Sequence, residues 1–242
     1  MKKTALITGA SKGIGKAIAL KLAKEDYNIV VNYLSNAALA EDVVNEIARL
    51  GGHATAVQGD VSQASEVKNM FTEAHRQFGA VDVVINNAGI MKLNLVKDFD
   101  EAAFQTLFDV NVKGTFNTLK ECCTQLSDGG SIVNLSTSAI GLAIPSYAIY
   151  NATKAAVEAL TYTFTRELRG RNIRVNCVAP GPTATDLFLN GKTDEQVERF
   201  RKTPPLERLG TPEDIANVVH FLASDAGSWI NGQVLKANGG II

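Results

Sequence analysis

Thr8-Gly9-Ala10-Ser11-Lys12-Gly13-Ile14-Gly15 joins the short apolar run Ala5-Leu6-Ile7-Thr8 to a stretch of helical period. Ile14, Ile18 and Leu22 recur at spacing four, which predicts a helix over residues 14–24. Glycines suit such a turn for two reasons. The chain must reverse tightly, and an anion must approach bare backbone where the first N–H groups of the helix and its dipole point. The spacing is G-x-x-x-G-x-G, not the G-x-G-x-x-G of the general dinucleotide-binding turn. Its place between a strand and a helix gives it meaning. Gly9, Ser11, Lys12, Gly13, Ile14 and Gly15 are therefore the candidate pyrophosphate cradle. A tight turn without a ligand is the alternative.

The same rhythm continues outward. Ile29-Val30-Val31-Asn32-Tyr33 reads as a β-branched strand, and residues 37–50 as a helix stopped by Gly51-Gly52. Residues 54–58, 81–85, 131–135, 173–178 and 233–237 read as further strands. Residues 65–78, 101–126 and 147–168 read as helices between them. Strand–helix alternation with right-handed crossovers predicts one α/β domain over residues 1–242, a Rossmann-type doubly wound parallel sheet of about seven strands with helices on both faces. Apolar strands suit a sheet buried on both sides. Residues 182–212 break the rhythm with prolines and a charged run, and read as a helical flap over a site.

Composition narrows the function. The 242 residues are 45% hydrophobic and 20% charged, with net charge −1, ordinary values for a globular chain. Nothing recommends a nucleic-acid or membrane partner. The apolar run after Lys2-Lys3 ends by Ala10, too short for a signal segment or a membrane span. Cys122, Cys123 and Cys177 lack metal spacing and read as reduced thiols, which predicts a cytoplasmic location. His53, His75 and His220 form no triad or metal cluster, and no G-x-S-x-G elbow is present. No metal is expected.

The end of the second strand speaks to the cofactor. A carboxylate there would bond a ribose 2′-hydroxyl. The sequence instead offers Asn32, Tyr33 and Ser35, with Lys12 in the glycine loop nearby. Losing a negative charge and gaining a positive one favours NADP(H) over NAD(H).

Further pieces follow in order: Asp60-Val61, Asn86-Asn87-Ala88-Gly89, Asn111, Ser138, Tyr150-Asn151-Ala152-Thr153-Lys154 and Pro180-Gly181. With the glycine loop, this ordered set resembles the short-chain dehydrogenase/reductase family over the whole chain. The resemblance implies a tetrad. Tyr150 would exchange a proton with the substrate oxygen, Lys154 would lower the tyrosine pKa and hold the nicotinamide ribose, Ser138 would donate to the substrate oxygen, and Asn111 would hold a water. Tyr150 and Lys154 lie one helical turn apart and share a face. Ser136 and Thr137 adjoin Ser138, which is taken for its x-x-Gly141 context and lies twelve residues before Tyr150, where thirteen is also common in the family. Tyr147 is the rival tyrosine, but four residues beyond it is Asn151, not lysine. The resemblance also places Asp60, Val61, Asn87, Ala88 and Gly89 along the adenosine half of the cofactor, Asp60 having a turn cap as its alternative. Pro180, Gly181, Thr183 and Thr185 fall near the carboxamide or phosphates, a simple turn being the alternative there.

The branch most resembled is that of the 3-oxoacyl-carrier-protein reductases. Such enzymes need basic residues at the site mouth. Arg169, Arg171 and Arg174 are candidates, while Leu126-Ser127-Asp128-Gly129-Gly130 departs from the basic pattern. A reductase of small ketones or aldehydes, or the reverse alcohol dehydrogenase, is the leading expectation. Carrier-protein reduction and a non-catalytic dinucleotide sensor are the rivals. The expected pocket is apolar: Ala139, Ile140, Leu142, Ile144, Tyr147, Leu187 and Phe188. The resemblance implies a homotetramer, or a dimer, through residues 101–126, 147–168 and 232–242.

Overall fold

A computed structural model describes residues 2–242. Seven strands alternate with helices: β1 (Thr4–Ile7), α1 (Gly13–Lys24), β2 (Asn28–Tyr33), α2 (Ala37–Arg49), β3 (His53–Gln58), α3 (Ala64–Phe78) and β4 (Val83–Asn86). Then come α4 (Glu101–Phe108), α5 (Gly114–Gln125), β5 (Ser131–Leu135), α6 (Ala139–Leu142), α7 (Ala148–Glu167) and β6 (Arg174–Pro180). The chain closes with α8 (Asp186–Leu189), α9 (Asp194–Lys202), α10 (Pro212–Ala223) and β7 (Val234–Ala237). The sheet order is β3-β2-β1-β4-β5-β6-β7, and every pairing is parallel. This is the doubly wound sheet that the alternation predicts.

The two-residue period of the strands builds two cores. Ala5, Ile7, Ile29, Val31, Ile85 and Val133 face one side and pack with Ile18, Leu22, Val43 and Ile47 of α1 and α2. Leu6, Val30, Val84, Ile132 and Val175 face the other and meet Val67, Met70 and Phe71 of α3, Leu119 of α5 and Phe164 of α7. Each fully buried side chain of this size contributes about 1.5–3 kcal/mol. Because both sheet faces are covered, the open ground lies at the strand ends, where ligands bind in such folds.

Two elements differ from the sequence reading. The predicted helix over residues 101–126 is two helices joined by a π-helical turn at Asp109–Lys113, with Asn111 buried inside it. Gly114 follows because a side chain there would come within 2.6 Å of Val61 Cγ2. Helix α10, absent from the reading, covers the first core with Ile215, Val219 and Leu222. Its signal was present in Thr211-Pro212-Glu213-Asp214, a capping box with proline at the first turn. The flap at 182–212 contains α8 and α9. Thr193 caps α9 with Gln196 reciprocating, and Phe188 and Phe200 meet edge to face at 5.3 Å.

Candidate active site

The loops after β1, β4, β5 and β6 meet at one edge of the sheet. Gly9 and Gly13 take φ of +61° and +55°, a left-handed conformation that other residues enter at a cost. A Cβ on Gly15 would lie 2.4 Å from Gly9 O and 2.5 Å from Asn87 Nδ2, so the loop has no room for a side chain there. Helix α1 has no side-chain cap and no acidic residue in its first turn, whereas Asn36 caps α2 and Asp100 caps α4. Its first N–H groups therefore stay available to an anion. A bare backbone cradle beneath an uncapped helix end fits a dinucleotide pyrophosphate.

Neighbouring polar residues hold this loop in shape. Asn87 Nδ2 donates to Thr8 O at 2.9 Å and to Gly9 O at 3.0 Å. Thr8 Oγ1 accepts from the N–H groups of Asn87 and Ala88, each at 3.0 Å. Asn32 is buried; its Oδ1 accepts from Gly9 N at 3.0 Å, and its Nδ2 donates to Gly59 O at 2.9 Å. Asn32 was expected to touch the cofactor. It is instead a tie between the glycine loop and β3. The amide donors of Asn87 are likewise spent on the loop. Val61 differs too: its side chain joins the second core and its carbonyl takes Asn117 Nδ2 at 2.8 Å, so its N–H alone is left for a ligand. The Asp60 carboxylate accepts from Ser62 N at 2.8 Å, the turn alternative. Tyr33, Ser35 and Lys12 remain at least partly exposed, and the end of β2 carries no carboxylate.

Across the cleft, α7 presents Tyr150 and Lys154, both buried. Lys154 Nζ donates to Leu135 O at 2.9 Å. Asn111 Oδ1 accepts from Ile90 N at 2.9 Å, and Asn111 Nδ2 donates to Ile90 O at 3.0 Å and Thr153 Oγ1 at 3.1 Å. The π-turn thus aims Asn111 back at the loop after β4. Lys154 Nζ and Asn111 Oδ1 converge above Gly89, each 3.3 Å from where its Cβ would be. Pro180, Gly181, Thr183 and Thr185 line the opposite wall. Thr183 Oγ1 donates to Gly181 O at 2.9 Å, and Thr185 caps α8.

Electrostatics correct one expectation. Burial pushes the Tyr150 phenol up to about 12, opposed by a hydrogen bond with the Thr137 side chain. Burial pulls the Lys154 amine down to about 8. Desolvation, rather than the pairing of ammonium with phenol, sets both values in the ligand-free protein. Burial thus favours the protonated phenol at Tyr150.

The cavity is lined by Ala139, Leu142, Ile144, Tyr147, Leu187 and Phe188 as predicted, but not by Ile140. Ile90, Met91 and Phe200 join it and were missed, since they come from the loop after β4 and from α9. Ser138 lines the cavity too, and its Oγ donates to Ala179 O at 2.9 Å. Arg171 and Arg174 are not at the mouth. Arg171 binds the carbonyl of Cys123 at 2.7 Å and Asp128 at 2.7 Å. Arg174 binds the carbonyls of Gly227 at 3.0 Å and Ser224 at 3.1 Å. Both secure helix ends at the opposite edge of the sheet, where β6 begins.

Among the described residues, no three histidine, cysteine or acidic side chains gather as a metal site, and no helix is long and apolar enough to cross a membrane. The family model described as enoyl-(acyl carrier protein) reductase matches residues 9–242. A 3-oxoacyl-[acyl-carrier-protein] reductase of Staphylococcus epidermidis is 44% identical, over 100% of this chain and 99% of its own. A short-chain type dehydrogenase/reductase of Picea abies is 42% identical, over 98% and 92%. The solved short-chain dehydrogenase of Burkholderia cenocepacia, in complex with NADP, superposes with a TM-score of 0.93 at 32% identity, over 99% and 97%. A glycine cradle, a buried tyrosine–lysine pair and relatives matched from end to end place this chain among the oxidoreductases of the short-chain dehydrogenase/reductase family.

Proposed function

We propose that this protein reduces a ketone or aldehyde of modest size with NADPH. The observation that carries the reading is Tyr150, buried at the end of an apolar cavity beside the glycine cradle, where burial favours its protonated form. When bound, the reduced nicotinamide supplies hydride to the carbonyl carbon. Tyr150 gives its hydroxyl proton to the carbonyl oxygen, so the carbonyl becomes an alcohol and Tyr150 becomes a phenolate. The Lys154 ammonium stabilises that phenolate and holds the ribose. Asn111, fixed by Ile90 and Thr153, positions a water by which the phenolate regains its proton from solvent. Gly9, Ser11, Gly13, Ile14 and Gly15 bind the pyrophosphate through backbone. Tyr33 and Ser35 flank the adenosine, and Ala88, Gly89, Pro180, Gly181, Thr183 and Thr185 flank the ribose and carboxamide.

The preference for the phosphorylated cofactor rests on Lys12, exposed in the cradle, and on the missing carboxylate after β2. The Burkholderia cenocepacia relative holds NADP. The test is loss of reduced-nicotinamide absorbance with a panel of ketones and aldehydes. NADPH is expected to outperform NADH. Lys12→Ala is expected to raise KM for NADPH by roughly 10- to 100-fold while leaving NADH unchanged, because one charge-assisted contact is worth about 1.5–3 kcal/mol. Equal use of both cofactors by wild type would overturn the assignment.

The second reading, reduction of a carrier-bound 3-oxoacyl group, is favoured by the Staphylococcus epidermidis relative. Against it, Arg171 and Arg174 are bound to backbone away from the mouth. A carrier-bound acetoacetyl thioester, compared with the same acyl group on a short thiol, separates the two. A large advantage for the carrier-bound form selects the second.

The assembly belongs to the same reading. Phe116 and Tyr162 are half exposed on α5 and α7, with a shallow apolar groove between the helices, and Trp229 is 99% exposed before β7. Two such faces suit a homotetramer. Light scattering at the tetramer mass is the expected result; a monomer at micromolar concentration would refute it. A cytoplasmic location agrees with the free thiols of Cys122, Cys123 and Cys177.

A further inference from the structure

Tyr147 opens α7, three residues before Tyr150, so the two rings rise from one face of the helix. Their centroids are 6.4 Å apart and their planes cross at 73°. Tyr147 is 8% exposed and lines the cavity, with its ring packed on Leu107 and Tyr150. Neighbouring polar side chains have partners inside the protein. Asn151 Nδ2 donates to Ala139 O at 2.9 Å, and Thr153 Oγ1 to Tyr150 O at 2.7 Å. The Tyr147 hydroxyl differs from them. Burial raises its pKa, and no hydrogen bond or nearby charge within the described protein acts on it. Nor is it sealed in. Among the described residues Asn151 Oδ1 is the one fully enclosed side-chain atom without a partner, so the Tyr147 oxygen opens on the cavity. A buried phenol normally has a hydrogen-bond partner. Here the nearby wall is apolar, made of Met91, Ala139, Leu142 and Ile144.

We infer that the Tyr147 hydroxyl binds a second oxygen of the substrate, which makes the preferred substrate an oxo ester or a diketone rather than a simple ketone. The inference rests on the carbonyl-reductase reading and adds the group that selects among carbonyl compounds. The partner of Tyr147 is a spectator oxygen, not the one that takes the Tyr150 proton. Because both phenols rise from one turn of α7, a short molecule spans them. An apolar ketone that fills the cavity strips water from Tyr147 and leaves its donor unpaired. A second oxygen restores the bond. Such a donor discriminates as much by what the wrong ligand loses as by what the right one gains. Lys154 is the only charged residue in the wall, and its amine is bound to Leu135 O. The second oxygen therefore belongs to a neutral group, an ester or ketone, and not to a carboxylate.

The test uses two matched pairs with the same backbone length: ethyl 3-oxobutanoate against 2-heptanone, and ethyl 2-oxobutanoate against 3-heptanone. The ratio of kcat/KM within each pair is measured for wild type and Tyr147→Phe, beside NADPH affinity and the thermal midpoint. The greater intrinsic reactivity of the esters is the same for both enzymes and cancels between them. In at least one pair Tyr147→Phe is expected to lower the preference for the ester by about 10- to 100-fold. The loss should fall on the ester, while the heptanone is reduced as well as before or better. A merely structural role would lower both substrates together. That result, or a preference unchanged in both pairs, overturns the assignment and leaves the reductase reading standing. If wild type binds NADPH but reduces none of the four, the reductase reading falls first and this one with it.

Discussion

Tyr150→Phe lowers kcat for ketone reduction by about 10²–10⁴-fold, the usual worth of a positioned general acid, while NADPH still binds. The substitution removes one oxygen and keeps the ring. Leu107 and Tyr147 pack on that ring, so the wall of the cavity should persist. Losing the contact with Thr137 costs about 1 kcal/mol of stability, too little to unfold the protein. The measurement is single-turnover reduction with NADPH saturating, alongside the thermal midpoint. A rate within about tenfold of wild type would assign proton donation elsewhere. Tyr147 would be the first suspect: it is buried, and its ring centroid is 6.4 Å from that of Tyr150. It has no lysine on the next turn. The double variant would then lose what the single one kept.

What the sequence disclosed follows from the range of the forces involved. Tyr150 and Lys154 were legible because one helical turn fixes their separation, whatever packs around α7. The parallel doubly wound sheet was legible because apolar runs alternating with amphipathic stretches leave few unknotted arrangements. The fate of the hydroxyls after β5 was not legible. Ser138 is claimed by Ala179 and by Asn238, one hundred residues away, and nothing local distinguishes it from Thr137. Asn32 read as a ligand because it sits where cofactors are met; only β3 and the loop, folded against it, consume its amide. Arg171 and Arg174 followed the active-site helix in sequence but lie a full strand length away in space. The lowering of the tyrosine pKa by lysine was a pairwise argument. Burial, a property of the whole fold, outweighs it in the ligand-free protein.

The same burial makes Lys154 a cost that the fold carries for function. Its amine is drawn from 10.5 down to about 8, so the charged form is disfavoured by about 3 kcal/mol against the unfolded chain at neutral pH. Lys154→Met removes that penalty but leaves Leu135 O without its donor, which returns about 1–3 kcal/mol. The net change at pH 7 is therefore small, and the pH dependence decides the matter. Below about pH 8, folded and unfolded wild type both carry the ammonium, and the penalty is full. From there towards 10.5 the unfolded chain keeps the proton and the folded one has lost it, so this term raises stability with pH. Buried Cys177, pushed up to about 12, acts oppositely, because its thiol ionises first in the unfolded chain. Tyr150 joins it above about 10. The readable quantity is thus the difference between the two proteins, which cancels the groups they share. Denaturant midpoints should show Lys154→Met gaining least at high pH and most at low pH, with turnover lost as in Tyr150→Phe. Parallel curves would mean that the ammonium carries no burial penalty. A variant that kept its turnover would remove Lys154 from the proton path and leave the phenolate without its nearest counter-charge.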